Sequence, residues 1–199
     1  MYRRALRFGN IVLSALGALG ACIIPITVPP ARVDLGYGPT SGGPQTLHVA
    51  AGASLVSAQR RRDATLDVGA GYVLDANVRE PGLVGHGPYL EAAWLQSGAK
   101  ARTSIGLRGA ALRHAGSTGG AFALRLSREL YRPGQGPWTS SDRCGFGAGG
   151  WYGSSAVGVY AESGLLLAPG GDAGWSTTIG LTVRTPAIWG LGVMIPGCK

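Results

Sequence analysis

Charge is scarce in this chain. Only 14% of its 199 residues are Asp, Glu, Lys or Arg, against a usual share of roughly 25%. Lysine is nearly missing, with only Lys100 and Lys199 present. The arginines are dispersed apart from Arg60-Arg61-Arg62, which Asp63 follows at once. A nucleic-acid binder gathers its cations on one face or in long runs, so that class is excluded. The triplet reads as a solvated loop tip, with contact to acidic lipid headgroups as the sharper alternative. Beyond the first two dozen residues there is no second long apolar run, no heptad and no helical stripe. No CxxC or Cys/His spacing suits a metal. The glycine run Gly145-Phe146-Gly147-Ala148-Gly149-Gly150 leads into no helix and no GK[ST] follows it, so it is not a phosphate loop. No cofactor is expected.

At the N-terminus Met1-Tyr2-Arg3-Arg4-Ala5-Leu6-Arg7 is basic and free of acids, and an apolar run extends from Phe8 to Ala21. These are the n-region and h-region of a secretory signal, too short to cross a bilayer comfortably. The run ends Leu19-Gly20-Ala21-Cys22, which resembles the lipobox of bacterial lipoproteins. The resemblance implies cleavage before Cys22, a lipid on its thiol and a place in the bacterial cell envelope, at the outer membrane. An ordinary secretory signal with an incidental cysteine is the alternative. Losing residues 1–21 removes Arg3, Arg4 and Arg7 and takes the formal charge from +8 to +5. Cys144 and Cys198 then remain, and in an oxidising compartment they allow one disulfide.

Three segments follow: a signal over 1–21, a Pro/Gly-rich tether over 22–45 and a β domain over 46–199. The tether is expected to be extended, because Pro25, Pro29, Pro30, Pro39 and Pro44 block helix and interrupt ladders; residues 33–37 within it could add a short edge strand. From Thr46 the pattern has period two. In 64–74, Leu66, Val68, Ala70, Tyr72 and Leu74 alternate with Asp67, Gly69, Gly71 and Val73, and such alternation places the two sets on opposite faces of a strand. The same grammar runs through 101–112, 120–131, 155–166 and 175–184, and more loosely through 46–58, 88–97 and 188–195. That predicts an all-β, antiparallel up-and-down barrel of eight strands. Residues 132–154 form a long glycine-rich loop or conceal a hairpin, which makes ten the alternative count.

A soluble barrel turns apolar residues inward. Here the polar face is mostly Gly, Ala and Ser with one or two charges per strand, too little for a water-facing exterior. It suits a narrow lumen, with aliphatic residues outside. In this pattern the chain resembles small eight-stranded outer-membrane β-barrels across roughly 46–195. Eight charges are assigned to the lumen as a salt-bridge network: Arg102, Arg108, Arg125 and Arg184 against Asp67, Glu91, Glu129 and Glu162. Tyr72, Trp94, Tyr131, Trp151, Trp175 and Trp189 suit aromatic girdles. One departure from the resemblance stands out, since the two longest connections, 75–87 and 132–150, fall on opposite ends of an eight-strand count.

Catalysis finds little footing. His48 with Ser54 or His114 with Ser117 offers a base beside a hydroxyl, but no third group is marked out. Glu91 and Glu162 as a carboxylate pair are explained more simply as lumen ion pairs. The reading is therefore a non-enzymatic lipoprotein with a structural or interaction role. Its expected partner is membrane lipid, through Cys22 and the barrel exterior, and its protein partner is unassigned. The alternatives are a lipid-anchored soluble barrel of lipocalin type binding a small apolar ligand and, third, a lipid-modifying barrel enzyme.

Overall fold

The computed structural model describes residues 22–41, 45–59, 64–78, 84–114, 117–133, 136–142, 145–152, 154–167 and 173–194. Twelve strands follow one another: β1 (Cys22–Val28), β2 (Ala31–Pro39), β3 (Gln45–Gln59), β4 (Ala64–Asn77), β5 (Val84–Ser97), β6 (Ala101–His114), β7 (Ser117–Pro133), β8 (Gly136–Asp142), β9 (Gly145–Tyr152), β10 (Ser154–Leu167), β11 (Ala173–Arg184) and β12 (Ala187–Met194). Eight of them, in the order β2-β3-β4-β5-β6-β7-β10-β11, close into an antiparallel barrel in which β11 pairs back onto β2. The other four make a sheet of order β1-β12-β9-β8.

That second sheet is the barrel wall continued. Arg184 faces Arg32 in the barrel and Ile188 faces Val28 beyond it, so the β2/β11 register passes unbroken into β1/β12. Pro133 faces Ser154, and Gly136 faces Trp151 in the same register, so β7/β10 passes into β8/β9 likewise. Between β11/β10 and β12/β9 the register slips by one residue near position 153. Four adjacent strands thus continue past the rim, and the two whose connections are described break at one level, at Pro29-Pro30 and Thr185-Pro186. Thr185 N–H donates to Ala31 O at 2.8 Å across the first of these breaks.

Four expectations change. The segment 22–45 is not a spacer throughout, because β1 and β2 lie within it and β2 closes the barrel. Prolines are tolerated there because Pro25 lies on an edge strand and Pro39 ends one. Residues 188–195 do not supply the eighth barrel strand; 187–194 pair in the side sheet instead. Residues 132–154 hold the β8–β9 hairpin, which adds two strands without enlarging the barrel. With that hairpin paired, the longer connections, 40–44, 78–83 and 168–172, all fall at the end away from the side sheet.

The register also fixes the barrel's shape. A row of facing residues leaves β10 at Ala156, passes Arg184, Arg32, Gly52, Gly71, Tyr89, Ala110 and Ala121, and returns to β10 at Leu166, ten residues further along. Eight strands with that stagger tilt by about 40° to the axis and enclose a lumen that side chains can fill. Two inward tyrosines fill much of it, each lying over glycines on neighbouring strands. A Cβ on Gly36 would collide with the Tyr160 hydroxyl, and one on Gly71 would come within 2.7 Å of the Tyr89 ring. Toward the end away from the side sheet, Ala50, Val73, Tyr89 and Leu112 form a small apolar core.

Gly180 pairs with both Tyr160 and Gly36, and a side chain on it would press on the β2 backbone at Leu35 and Gly36. Gly180→Leu is expected to prevent closure and to lose the compact, heat-modifiable species on gels. Wild-type migration by this variant would show that the close approach of β11 to β2 is dispensable.

Candidate functional site

Alternation places one charge after another on the inner face, because each charged residue shares parity with small residues on its strand. β2 brings Arg32 and Asp34 inward, β4 Asp67, β5 Glu91, β6 Arg102 and Arg108, β7 Arg125 and Glu129, β10 Glu162, and β11 Arg184. These are five arginines and five carboxylates. All eight charges assigned to the lumen from the sequence lie together there. Arg32 and Asp34 were missed because the prolines around β2 made it read as a spacer, although Arg32, Asp34 and Gly36 already alternate with Val33, Leu35 and Tyr37.

The charges divide into two neutral layers. Nearer the side sheet, Arg184 donates to Asp67 at 3.0 Å and lies 3.6 Å from Glu129, which also accepts from Arg102 at 2.5 Å. Ser54 adds a bond to Asp67 at 3.0 Å. In the second layer Arg32 forms a two-pronged pair with Glu91, donating at 2.6 and 2.5 Å. Asp34 accepts from Arg108 at 2.9 Å and from Arg125 at 2.8 Å. Arg108 also bridges Glu91 and Glu162, each at 2.9 Å. Three arginines therefore meet three carboxylates above, and two meet two below. The tyrosines complete the second layer, with Arg108 over Tyr89 at 4.6 Å and Arg125 over Tyr160 at 4.5 Å. Stripping water from ions costs several kcal/mol each, and only close partners with good geometry offset it.

The candidate catalytic groups are absorbed by this network. His48 Nδ1 bonds Asp75 Oδ1 at 2.6 Å, and its Nε2 faces Arg108 Nη1 at 3.2 Å, so both ring nitrogens are engaged. His48 and Ser54 lie six residues apart on one strand, about 20 Å, and Ser54 bonds Asp67 instead. Glu91 and Glu162 are held apart by the Arg108 between them. His114 and Ser117 face each other at the end of β6/β7, but the His114 side chain lies outside the described residues. So do Cys144 and Cys198, the Arg60–Asp63 run and residues 1–21, read above as a signal. Cys22 begins β1, opposite Met194. Among the described residues no cluster of His, Cys, Asp or Glu could hold a metal ion.

Outside, the picture inverts. Leu130, Leu107, Phe122 and Ile179 are each about two-thirds exposed (68%, 66%, 66% and 66%), whereas Asp34 is 0% exposed. Two polar pairs on the outer face satisfy each other: Ser163 with Thr177 at 3.0 Å and Tyr72 with His86 at 2.5 Å. Trp94 and Trp175 are outward and half exposed. Tyr131 departs from the expected girdle; it turns toward Arg102 and donates its hydroxyl to Gly98 O. A void of about 30 Å³ lies among the inner charges, beside His48, Asp75, Arg108 and Glu162.

Asp34→Ala takes from Arg125 its one close carboxylate and from Arg108 one of three, and removing one partner of such a buried group costs about 3–5 kcal/mol. Urea unfolding in detergent micelles is expected to show that loss, whereas Arg113→Ala, on the outer face, is expected to stay within about 0.5 kcal/mol of wild type. Equal stability of the two variants would mean that inner pairing carries no weight in folding.

No family model and no curated protein matches this chain.

Proposed function

We propose that the chain is a bacterial outer-membrane lipoprotein whose barrel spans the membrane and whose Cys22 carries lipid, with a structural or interaction role and no catalysis. The observation that carries the proposal is the inverted distribution of polarity, with ion pairs inside and aliphatic side chains outside. On β10 the outward apolar residues run from Val157 to Leu167, about 25 Å along the barrel axis. That is the height of the lipid-facing band of such barrels. Paired hydroxyls on the outer face and the outward Trp94 and Trp175 suit the same surroundings. No helix among the described residues is long and apolar enough to cross a membrane.

The interior argues against a ligand-binding lipocalin-type barrel. A drug-sized ligand needs roughly 300 Å³ or more, and the void beside His48 is a tenth of that. A lumen closed by two ion-pair layers is also unsuited to conducting solutes, which leaves binding to the loops, the outer face and the side sheet.

Ile179→Arg places a cation on the lipid-facing surface and costs about 2–4 kcal/mol near mid-membrane, while Thr178→Ser on the inner face is expected to be nearly silent. Folding yield into phosphatidylcholine vesicles, read from heat-modifiable migration, separates the two. If the wild-type chain and Ile179→Arg both fold in plain buffer without detergent, the membrane reading fails. Separately, Cys22→Ala is expected to abolish palmitate labelling in a lipoprotein-processing bacterium while leaving barrel folding intact; an unlabelled wild type would remove the lipid anchor alone.

A further inference from the structure

Charge in this molecule is sorted by face. The two lumen layers are neutral, and every carboxylate whose side chain is described points inward: Asp34, Asp67, Asp75, Glu91, Glu129 and Glu162. Outward-facing charges among the described residues are all positive, namely Lys100, Arg113, Arg128 and Arg132. They are also sorted by end. Lys100, Arg128 and Arg132 lie toward the side-sheet end, and only Arg113 lies toward the other.

Two of these cations line one groove. A depression of about 550 Å³ on the outer face is bounded by the connection from β5 to β6, with Gln96, Ser97, Lys100, Thr103 and Arg128 around it. Its wall is fixed from within the barrel. Tyr131 N–H donates to Lys100 O at 3.1 Å, the Tyr131 hydroxyl donates to Gly98 O, and Gly98 N–H donates to Ala101 O at 2.8 Å. Arg128 faces Thr103 across the β6/β7 pair and lies between Leu126 and Leu130 on the lipid-facing surface. An arginine so placed can lay its aliphatic stem along apolar surface and turn its guanidinium toward the rim. No carboxylate among the described residues lies on this side of the wall.

From this we infer that Lys100 and Arg128 bind the phosphate of an anionic phospholipid in the leaflet at the side-sheet end. The inference rests on the membrane-spanning reading and adds a ligand and an orientation to it. A phosphodiester supplies acceptor oxygens that match a guanidinium fork and an ammonium, and the hydroxyls of Ser97 and Thr103 add neutral donors. At this level an acyl tail descends along Leu126, Leu130 and Ile105, the outward apolar side chains beside the groove. Each cation near an anionic membrane surface contributes about fivefold in affinity.

The test uses the full-length mature chain, refolded into nanodiscs of phosphatidylcholine alone or mixed with phosphatidylglycerol, followed by native mass spectrometry of the lipids it retains. Wild type is expected to retain phosphatidylglycerol over phosphatidylcholine by about tenfold or more. Lys100→Gln with Arg128→Gln is expected to lose most of that preference, and Arg113→Gln, at the opposite rim, to keep it. Glycerol phosphate in solution is expected not to displace the lipid. Equal retention of both lipids by a folded wild type overturns the inference and leaves the membrane reading standing. Loss of preference in Arg113→Gln as large as in the double variant overturns it too, because the charge then acts without a site. Displacement by glycerol phosphate reassigns the groove to a soluble phosphate ester. Failure of the chain to enter either nanodisc removes the membrane reading and the inference together.

Discussion

Pairing of charge inside a closed wall governs this fold. Ten ionised side chains share a lumen about two side chains wide, and none can be satisfied on its own strand alone. Arg108 reaches from β6 to carboxylates on β2, β5 and β10, and Arg125 reaches from β7 to β2. Arg108–Glu91 joins facing residues of neighbouring strands, but the contacts to Asp34 cross the barrel and are available only when β2 has taken its place in the wall. The backbone ladder supplies local register, and the ion pairs make partial closure costly. A barrel missing β2 would lose both Arg32 and Asp34 and leave the upper layer one carboxylate and one guanidinium short.

Size complementarity works alongside the charges. Tyr89 and Tyr160 each lie across rows that are glycine on two consecutive strands, Gly71 and Gly52 in one case, Gly180 and Gly36 in the other. The absent side chains make room for a ring, and each ring then offers its face to an arginine. Glycine is thus concentrated where the lumen is most crowded. This is a physical reason for the high glycine content, distinct from turn formation.

Much of this was legible in the sequence, and what was missed shares one cause. Strict period two over 64–74 and 175–184 revealed strand, face and inward charge together, because one face was aliphatic and the other was small or charged. The same alternation is present in Arg32-Val33-Asp34-Leu35-Gly36-Tyr37, yet it is short and bounded by Pro29-Pro30 and Pro39, and punctuation outweighed pattern. In 136–152 the reverse holds. Glycine occupies so many positions that neither face has a signature, and only the pairing of β8 with β9 and of β9 with β12 reveals the hairpin. The count of eight survived because one strand gained at the start replaced one lost at the end. Arg108–Glu91 and Arg102–Glu129 join consecutive strands, but the partners of Asp34 and of Asp67 come from strands far apart in sequence and depend on the stagger of ten.

The side sheet has two outer strands, β1 and β8, whose far sides lack a neighbour among the described residues. Each carries a proline inside it, Pro25 in one and Pro137 in the other. A proline has no N–H to give, so a strand arriving from another molecule meets a gap in the row of donors on either side. A wall continued past a closed barrel is otherwise a template for growth, each copy offering an edge to the next. Prolines at both margins disfavour edge-to-edge growth of this sheet.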